Sequence, residues 1–238
     1  MLITGAAHRI GAYIAKKFHA KGYTIVLHYR QSFKQTQELA LLLNTIRENS
    51  CLYLQADFNQ TADLGELVQL IEKRFGRLDV LINNASSFFP TPVNNFTEHD
   101  YNDLFNSNVK GALFFSKACY EILKKNRGTI INLVDIHADK PLKDYPLYSM
   151  AKAANKMMVQ ALAKEYAPEI RVNGIAPGCI CWPEEKISDS IKATILSRIA
   201  LCKKGKKKHI FQTLQFLIKN TYITGQIIQV DGGRSLNM

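Results

Sequence analysis

The chain has 238 residues, a formal net charge of +11 at pH 7 and a hydrophobic fraction of 47%. These values are typical of one globular domain, and the sequence contains no apolar run of the roughly 18 residues that a membrane-spanning helix needs. The first residues lack a basic stretch followed by an apolar one, so no secretory signal is predicted. We therefore expect a single-domain enzyme of the cytoplasm that is not bound to a membrane.

Short β-rich runs alternate with stretches of helical period along the whole chain. This alternation predicts an α/β fold, a single Rossmann-like, doubly wound parallel sheet of about seven strands with helices on both faces. The predicted strands are residues 1–4, 24–28, 51–55, 80–83, 129–134, 171–175 and 226–230. The predicted helices are residues 9–21, 34–48, 62–75, 98–125 and 147–166. Neither an internal repeat nor a low-complexity linker divides the chain, so residues 1–238 form one domain.

Local signals mark the ends of several helices. Ser32 and Thr97 precede the second and fourth helices, where a hydroxyl can accept a hydrogen bond from a first-turn amide. The predicted helix stops are Gly22, Gly76 and Gly128. Residues 179–201 have no clear period and are predicted to form a substrate loop and a short helix over the active site.

Positive charge is concentrated in the run Lys203–Lys208. Such a run attracts polyanions, so a nucleic acid has to be considered as a partner. The run has no interleaved aromatic residues and matches no nucleic-acid-binding motif, and a solvated surface loop is predicted instead. The five cysteines lack Cys-x-x-Cys spacing, so we expect free thiols, including the neighbours Cys179 and Cys181, and no metal site.

The segment Thr4–Gly11 follows the first strand and opens the first helix. Main-chain amides at such a helix start can face a pyrophosphate. Gly5 and Gly11 do not complete a G-x-G-x-x-G motif, and a tight turn with close packing of the helix on the sheet is the alternative interpretation.

The residues after the second strand bear on the choice of cofactor. NAD-preferring sites usually carry an Asp or Glu about twenty residues after the phosphate loop. Here that place reads His28-Tyr29-Arg30-Gln31-Ser32, without a carboxylate, and Arg30, Ser32 and Arg9 offer donors to a 2′-phosphate. The sequence thus favours NADPH over NADH. Asp57, after the third strand, is placed to bond the adenine amino group or to cap the following turn.

Tyr148 and Lys152 stand four residues apart and share one face of a predicted helix. A neighbouring cation lowers the pKa of a phenol and makes it a better acid-base group near neutral pH. We therefore expect Lys152 to lower the pKa of Tyr148. An isolated Tyr-x-x-x-Lys is also compatible with a surface pair.

Three motifs stand together in order, namely the Thr-Gly-x(5)-Gly loop, Asn83-Asn84-Ala85 and Tyr-x-x-x-Lys. With Asn108 and with Pro177-Gly178 after the sixth strand, they make the chain resemble a short-chain dehydrogenase over essentially its whole length. The resemblance implies that Asn108 holds Lys152 through an ordered water, that Lys152 binds the nicotinamide ribose, and that the protein is a homotetramer. The cofactor-binding set expected from the spacing and the resemblance together is Gly5, Arg9, Ile10, Gly11, His28, Tyr29, Arg30, Ser32, Asp57, Asn84, Ala85, Ser86, Tyr148, Lys152, Pro177 and Gly178.

Two departures from the common family pattern point to one branch. Arg9 stands where most members have a glycine, and Asp135 stands where they have a catalytic serine. Together with Leu27-His28-Tyr29 and the segment Asn84–Pro90, these residues resemble the pteridine reductases.

The resemblance to pteridine reductases implies roles for three further contacts. Phe88 would stack a flat pterin against the nicotinamide, and Ser86 would contact cofactor or substrate. Arg9 would reach both the phosphate and the pterin. Taken without the neighbouring motif, Phe88 is better explained as an aromatic that packs the core or the loop.

The chemistry of pterin reduction explains a carboxyl group at position 135. Addition of hydride to a carbon-nitrogen double bond leaves charge on nitrogen, which needs a proton donor. A partly buried carboxyl group can hold that proton because desolvation raises its pKa. We therefore expect Tyr148 and Asp135 to deliver protons; the alternative for Asp135 is a turn cap after the fifth strand.

The predicted function is NADPH-dependent reduction of a dihydropterin, such as dihydrobiopterin, dihydromonapterin or dihydrofolate, to the tetrahydro form. The expected partner is accordingly a pterin or folate and not a nucleic acid. Two alternatives stay open, a carbonyl reductase of the 3-oxoacyl-carrier-protein reductase type and, from another class, an inactive NADPH-binding scaffold or sensor.

Overall fold

A computed structural model describes residues 1–60, 64–182 and 187–237. Across these residues one seven-stranded sheet runs in the order β3-β2-β1-β4-β5-β6-β7, and all neighbouring strands are parallel. The strands are β1 (Leu2–Ile3), β2 (Ile25–Tyr29), β3 (Cys51–Gln55), β4 (Val80–Asn83), β5 (Thr129–Leu133), β6 (Arg171–Pro177) and β7 (Ile227–Val230). The predicted α/β class and doubly wound parallel sheet are confirmed.

Helices cover both faces of the sheet in the described part of the chain. The α-helices are α1 (Arg9–His19), α2 (Phe33–Ile46), α3 (Leu64–Phe75), α4 (Glu98–Phe105), α5 (Gly111–Ala118), α6 (Tyr120–Lys125), α7 (Pro146–Glu165), α8 (Asp189–Ser197) and α9 (Lys207–Lys219). Ile136–Ala138 and Arg234–Asn237 form short 3-10 helices, and Asn106–Lys110 forms a π-helical turn. No described helix combines the length and the apolarity that a membrane crossing requires.

Two hydrophobic cores lie on opposite faces of the sheet. Successive strand residues point to opposite faces, so Ile3 enters one core and Leu2 the other. The first core holds side chains of α1, α2 and α9, and the second holds side chains of α3, α5, α6 and α7. Strands β2 and β5 are buried along their whole length, as expected for parallel strands that are covered on both faces.

The predicted helix 98–125 is wrong as one continuous element. The π-helical turn Asn106–Lys110 separates α4 from α5, and Cys119 separates α5 from α6. The turn places Asn108 in the interior, where its side-chain amide donates to Leu104 O at 2.9 Å, four residues back. A hydrogen bond from Gly111 N to Asn106 O, five residues back, replaces the usual helical spacing there.

The solvated loop predicted for Lys203–Lys208 is only half right, because α9 begins at Lys207. Lysines are unfavourable near the positive end of a helix dipole, and the sequence pattern therefore did not indicate a helix here. Packing decides the structure instead. The apolar face of α9 is buried in the first core by Ile210, Phe211, Leu214 and Leu217.

The signals at the helix ends have mixed outcomes. Thr97 forms the predicted cap, since its hydroxyl accepts from Asp100 N at 3.2 Å, and Gly22 and Gly76 adopt positive φ after their helices. Ser32 makes no side-chain cap bond to α2. Gly128 is wrong as a stop, because the residue with positive φ after α6 is Arg127. The short helix expected within 179–201 is α8, whereas the predicted helix start at residue 62 lies outside the described residues.

Candidate active site

The predicted site residues gather where the carboxyl ends of the central strands meet. The strand order reverses between β1 and β4, and ligands of doubly wound sheets bind in the crevice at this point. Gly5 follows β1, Asn84 follows β4, Asp135 follows β5 and Gly178 follows β6. Gly178 is held by a 3.1 Å bond from its amide to Val230 O.

The phosphate loop and the end of β4 are tied together by side chains. The Thr4 hydroxyl accepts hydrogen bonds from the amides of Asn84 at 2.9 Å and Ala85 at 3.0 Å. In return, the Asn84 side-chain amide donates to Thr4 O at 2.9 Å and to Gly5 O at 3.0 Å. Gly5 has φ +60°, and a Cβ atom there would lie 2.8 Å from Ala85 Cα. Only glycine therefore allows this close approach of the two segments.

The start of α1 fits the pyrophosphate of a dinucleotide. His8 occupies the N-cap position, and its side chain makes no cap bond to the first-turn amides. Those amides can therefore bind an anion, which the helix dipole also favours. A Cβ on Gly11 would lie 2.5 Å from Gly5 O, so the loop can lie flat on the helix only with glycine here. Ile10 is half-buried and packs on the first core.

Arg9 has the left-handed conformation with φ +47°. A side chain is strained there, which explains why a glycine is usual at this position in the family that the sequence resembles. One guanidinium nitrogen of Arg9 donates to Trp182 O at 3.0 Å. The residue thus links the phosphate loop to the start of the predicted substrate loop.

The residues expected at the 2′-phosphate have protein partners. The Arg30 guanidinium pairs with the Asp103 carboxylate at 2.9 Å, and both side chains are partly exposed. The Ser32 hydroxyl lies 3.0 Å from His8 Nε2. Asp57 accepts a bond from Asn59 N at 3.0 Å, which is the turn cap that the sequence left open as an alternative to an adenine contact.

His28 and Tyr29 bury their side chains and present only main-chain groups to a cofactor. His28 Nδ1 accepts from Gly5 N at 3.3 Å, and Nε2 donates to Ala56 O at 3.2 Å. Burial lowers the pKa of His28 to about 4, so the ring is neutral and this tautomer is retained. The Tyr29 ring packs against Phe33, with 6.1 Å between the ring centroids.

The catalytic candidates converge at the end of β5. The Tyr148 hydroxyl donates to Asp135 Oδ2 at 2.8 Å, and Asp135 Oδ1 accepts from His137 N at 2.9 Å. Asp135 therefore caps the turn and contacts the phenol at the same time. Lys152 Nζ donates to Leu133 O at 2.9 Å and lies 5.6 Å from the centroid of the Tyr148 ring.

The pKa of Tyr148 differs from the sequence-based expectation. Burial raises this pKa well above its usual value, and the negative charge of Asp135 raises it further. The prediction that Lys152 lowers the pKa of Tyr148 is wrong for this arrangement. Burial itself lowers the pKa of Lys152 to about 8, with Asp135 opposing the change. Near neutral pH the phenol holds its proton, as a proton donor must.

Phe88 lies at the open side of this group. Its ring is 52% exposed, stacks on Tyr145 with 4.6 Å between centroids and 13° between planes, and meets the Tyr148 ring edge-on at 4.8 Å. Ser86 on the same loop donates from its hydroxyl to Asn108 Oδ1 at 2.7 Å. The structure thus brings Phe88, Ser86, Asn108, Tyr148 and Asp135 close together.

Comparisons with known proteins agree with this geometry. A family model described as enoyl-(acyl carrier protein) reductase matches residues 5–235. The chain is also 35% identical to "Pteridine reductase 1" of Leishmania tarentolae over 277 aligned positions, which cover 99% of this chain and 96% of the relative.

The chain belongs to the short-chain dehydrogenase/reductase family. An uncharacterised oxidoreductase of Methylorubrum extorquens is 30% identical to this chain, and the alignment covers 98% of this chain and 96% of the relative. "Granaticin polyketide synthase putative ketoacyl reductase 2" of Streptomyces violaceoruber is 28% identical, and the alignment covers 99% of this chain and 95% of the relative. The protein is thus an oxidoreductase of a family that uses a nicotinamide cofactor.

Four residues of this short-chain reductase site were not identified from the sequence. Tyr145 stands one turn before Tyr148, and its aromatic character was the available signal. His8 and Trp182 reach the site through contacts between distant segments that no local pattern shows. Asn155 is a polar residue at a buried position of α7, three residues after Lys152. That placement was a readable signal.

Proposed function

We propose that this short-chain reductase catalyses NADPH-dependent reduction of a dihydropterin to its tetrahydro form. The observation that carries the proposal is the 2.8 Å hydrogen bond between Tyr148 and Asp135, beside the half-exposed ring of Phe88 that meets Tyr148 edge-on. The pair places a protonated acid and a carboxylate beside an aromatic surface on which a flat heterocycle can stack. The 35% identity to a protein named pteridine reductase supports the same substrate class.

NADPH is the cofactor that we infer from the surroundings of the phosphate loop. His8, Arg9, Arg30 and Ser32 supply positive charge and donors near the expected 2′-phosphate, and the segment after β2 offers no carboxylate to a ribose hydroxyl. Arg30 would bind the phosphate while it stays close to Asp103, or it would exchange that partner for the phosphate. When bound, NADPH supplies the hydride that is added to a ring carbon of the substrate.

The residues around Tyr148 then supply the proton. The phenol donates to the nitrogen that gains charge as the ring carbon is reduced, and Asp135 is the adjacent group through which solvent replaces that proton. Lys152 holds the nicotinamide ribose, and its own position is fixed by the 2.9 Å bond from Nζ to Leu133 O. The Asn108 region positions Lys152 through an ordered water. Ser86 positions the nicotinamide side of the site.

The proposal is tested by steady-state oxidation of NADPH with a panel of substrates. The panel holds dihydrobiopterin, dihydromonapterin, dihydrofolate and a 3-oxoacyl thioester, each measured with the wild-type chain and with Tyr148→Phe. We expect turnover of at least one dihydropterin with kcat/KM at least 100-fold above that of the thioester, and its loss in the variant. Turnover of the thioester alone would contradict the proposal.

Carbonyl reduction is the second candidate function, because the family model and the Streptomyces relative carry reductase names of that chemistry. Asp135 argues against it, because a serine in this place would donate a hydrogen bond to a carbonyl oxygen, whereas Asp135 accepts the bond from the Tyr148 hydroxyl. An inactive NADPH-binding sensor is the candidate from another class. Unchanged cellular pterin pools together with inactivity on the whole panel would favour that role.

We also propose that the protein is a homotetramer. Exposed apolar side chains occur on α5 (Leu113 and Phe114) and on α7 (Met150 and Met157), and α7 packs against the π-helical turn that leads into α5. A second copy of the chain would bury these side chains. Light scattering should give a tetramer for the wild type and a smaller species for Phe114→Glu, whereas a wild-type monomer would refute the proposal.

A further inference from the structure

Four buried polar side chains, three amides and one hydroxyl, form a hydrogen-bonded chain through the second core from α5 to α7. The Asn83 amide donates to Ser116 Oγ at 3.1 Å and to Asn132 Oδ1 at 2.9 Å. The Asn132 amide in turn donates to Asn155 Oδ1 at 3.0 Å. All four residues are at most 4% exposed, so the bonded groups depend on one another in place of water, while Asn83 Oδ1 has no hydrogen-bond partner among the described residues.

The chain of amides ends on the main chain at the active site. The Asn155 side-chain amide donates to Asn108 O at 2.6 Å, inside the π-helical turn. Hydrogen-bond spacing is irregular in this turn, and the Asn155 amide adds a bond to the buried residue Asn108 from outside the helix. Since Asn132 fixes the orientation of the Asn155 amide, the nitrogen of that amide must face the Asn108 carbonyl.

The Asn108 side chain connects the π-helical turn to the loop on the substrate side of the site. The side chain accepts from the Ser86 hydroxyl at 2.7 Å and donates to Ser87 O at 3.0 Å. These bonds hold the loop that carries Phe88. Asn155 lies one turn after Lys152 on α7, so it connects the helix of the proton-donating group with the loop of the aromatic platform.

We infer that Asn155 is a positioning residue, which sets the distance between the Tyr148–Lys152 pair and the Ser86–Phe88 loop by holding the Asn108 carbonyl. The inference rests on the proposed function for its choice of substrate. A displacement of about 1 Å in a reacting group can reduce a rate by about 100-fold, so a residue without contact to the substrate can still control turnover.

The test uses Asn155→Leu, with Asn173→Leu as the matched control. Asn173 is equally buried in β6 and bonds Ile223 O and Gln226 N, away from the Asn155 chain. We expect Asn155→Leu to lower kcat at least tenfold while the Kd for NADPH, measured by fluorescence titration, changes less than threefold. Asn173→Leu should lose comparable thermal stability and keep kcat within threefold of the wild type.

A second variant and a second readout keep the inference falsifiable. Asn155→Asp preserves the size and the bond from Asn132 but places an acceptor oxygen against Asn108 O, so kcat should again fall at least tenfold. Hydrogen exchange should become at least tenfold faster in residues 106–110 and 84–90 of either Asn155 variant, and not in the control. This readout needs no substrate, so it remains decisive if the wild type reduces no dihydropterin and the proposed function fails.

Two outcomes would overturn the positioning role. One is a kcat within twofold of the wild type in either Asn155 variant that folds. The other is unchanged hydrogen exchange in residues 106–110 and 84–90. A kcat that falls in proportion to stability, and equally in the Asn173 control, would likewise assign Asn155 a structural role only.

Discussion

The Tyr148 hydroxyl and the Asp135 carboxylate share a hydrogen bond of 2.8 Å at the carboxyl end of β5. The negative charge of Asp135 adds to the effect of burial, and the pKa of Tyr148 rises well above its usual value. A phenol in this position keeps its proton throughout the physiological pH range and can give it up only to a strongly basic acceptor. Nitrogen that gains an electron pair during reduction is such an acceptor.

Asp135→Asn should separate the charge of this residue from its shape. The amide keeps the size and can still accept the bond from Tyr148, but the pKa of the phenol falls because the negative charge is gone. The protonated phenol is the active form, so the decline of kcat at high pH should begin at a lower pH than in the wild type. We expect kcat/KM for a dihydropterin to fall about 100-fold at pH 7 as proton supply is lost. A variant with the wild-type pH profile and rate would contradict this role.

Burial of Lys152 in the active site lowers the free energy of unfolding. Its pKa is about 8 in the folded chain against 10.5 in the reference state, so the folded state binds fewer protons between these values. The penalty is complete below pH 8 and is relieved as the pH rises toward 10.5. Its size is about 3 kcal/mol before the bond to Leu133 O offsets part of it.

We therefore expect Lys152→Met to be inactive yet more stable than the wild type at pH 7, by about 2 kcal/mol. Denaturant unfolding at several pH values measures this difference. The advantage of the variant should shrink as the pH increases to 10. A variant that is less stable than the wild type at pH 7 would show that the lysine contributes more through packing than its charge costs.

Phe88→Ala tests the aromatic platform. The ring is about half exposed, so its removal should change the melting temperature little, while the KM for the dihydropterin should rise about fivefold because stacking contributes about 1 kcal/mol. NADPH affinity should be nearly unchanged. Phe216→Ala on α9 is a control of similar exposure that should leave KM alone. Equal kinetic effects of the two substitutions would refute a substrate contact.

Two substitutions separate the effect of the Arg9 backbone conformation from the effect of its guanidinium group. Arg9→Gly relieves the left-handed strain and should leave the free energy of unfolding unchanged or up to about 1 kcal/mol higher, whereas Arg9→Ala retains the strain. Both variants lose the guanidinium, so both should bind NADPH at least tenfold more weakly. Isothermal titration measures the affinity. Full NADPH affinity in Arg9→Ala would exclude a phosphate contact.

The sequence predicted the residues whose chemistry depends on local spacing. Tyr148 and Lys152 follow from a helix period, and the phosphate loop follows from its place between a strand and a helix. The outcome for Tyr148 illustrates the limit. Spacing identified the neighbouring cation, but burial and the carboxylate set the direction of the pKa, and both depend on tertiary structure.

The remaining features were hidden because they depend on contacts between distant segments. The π-helical turn at Asn108 requires one extra residue in a helix, and Asn155 stabilises it from 47 positions away. Helix α9 begins among lysines that oppose a helix start, and its buried apolar face overrides them. A single sequence records neither the bond from Asn155 to the Asn108 carbonyl nor the shape of the core that buries α9.

Transfer of deuterium from NADPH deuterated at C4 is the most direct test of the central claim. With dihydropterin as substrate, mass spectrometry should find one deuterium on a ring carbon of the tetrahydropterin product, and Tyr148→Phe should form this product at least 100 times more slowly. Deuterium found only in the alcohol formed from a 3-oxoacyl thioester, with the dihydropterin unchanged, would contradict the account.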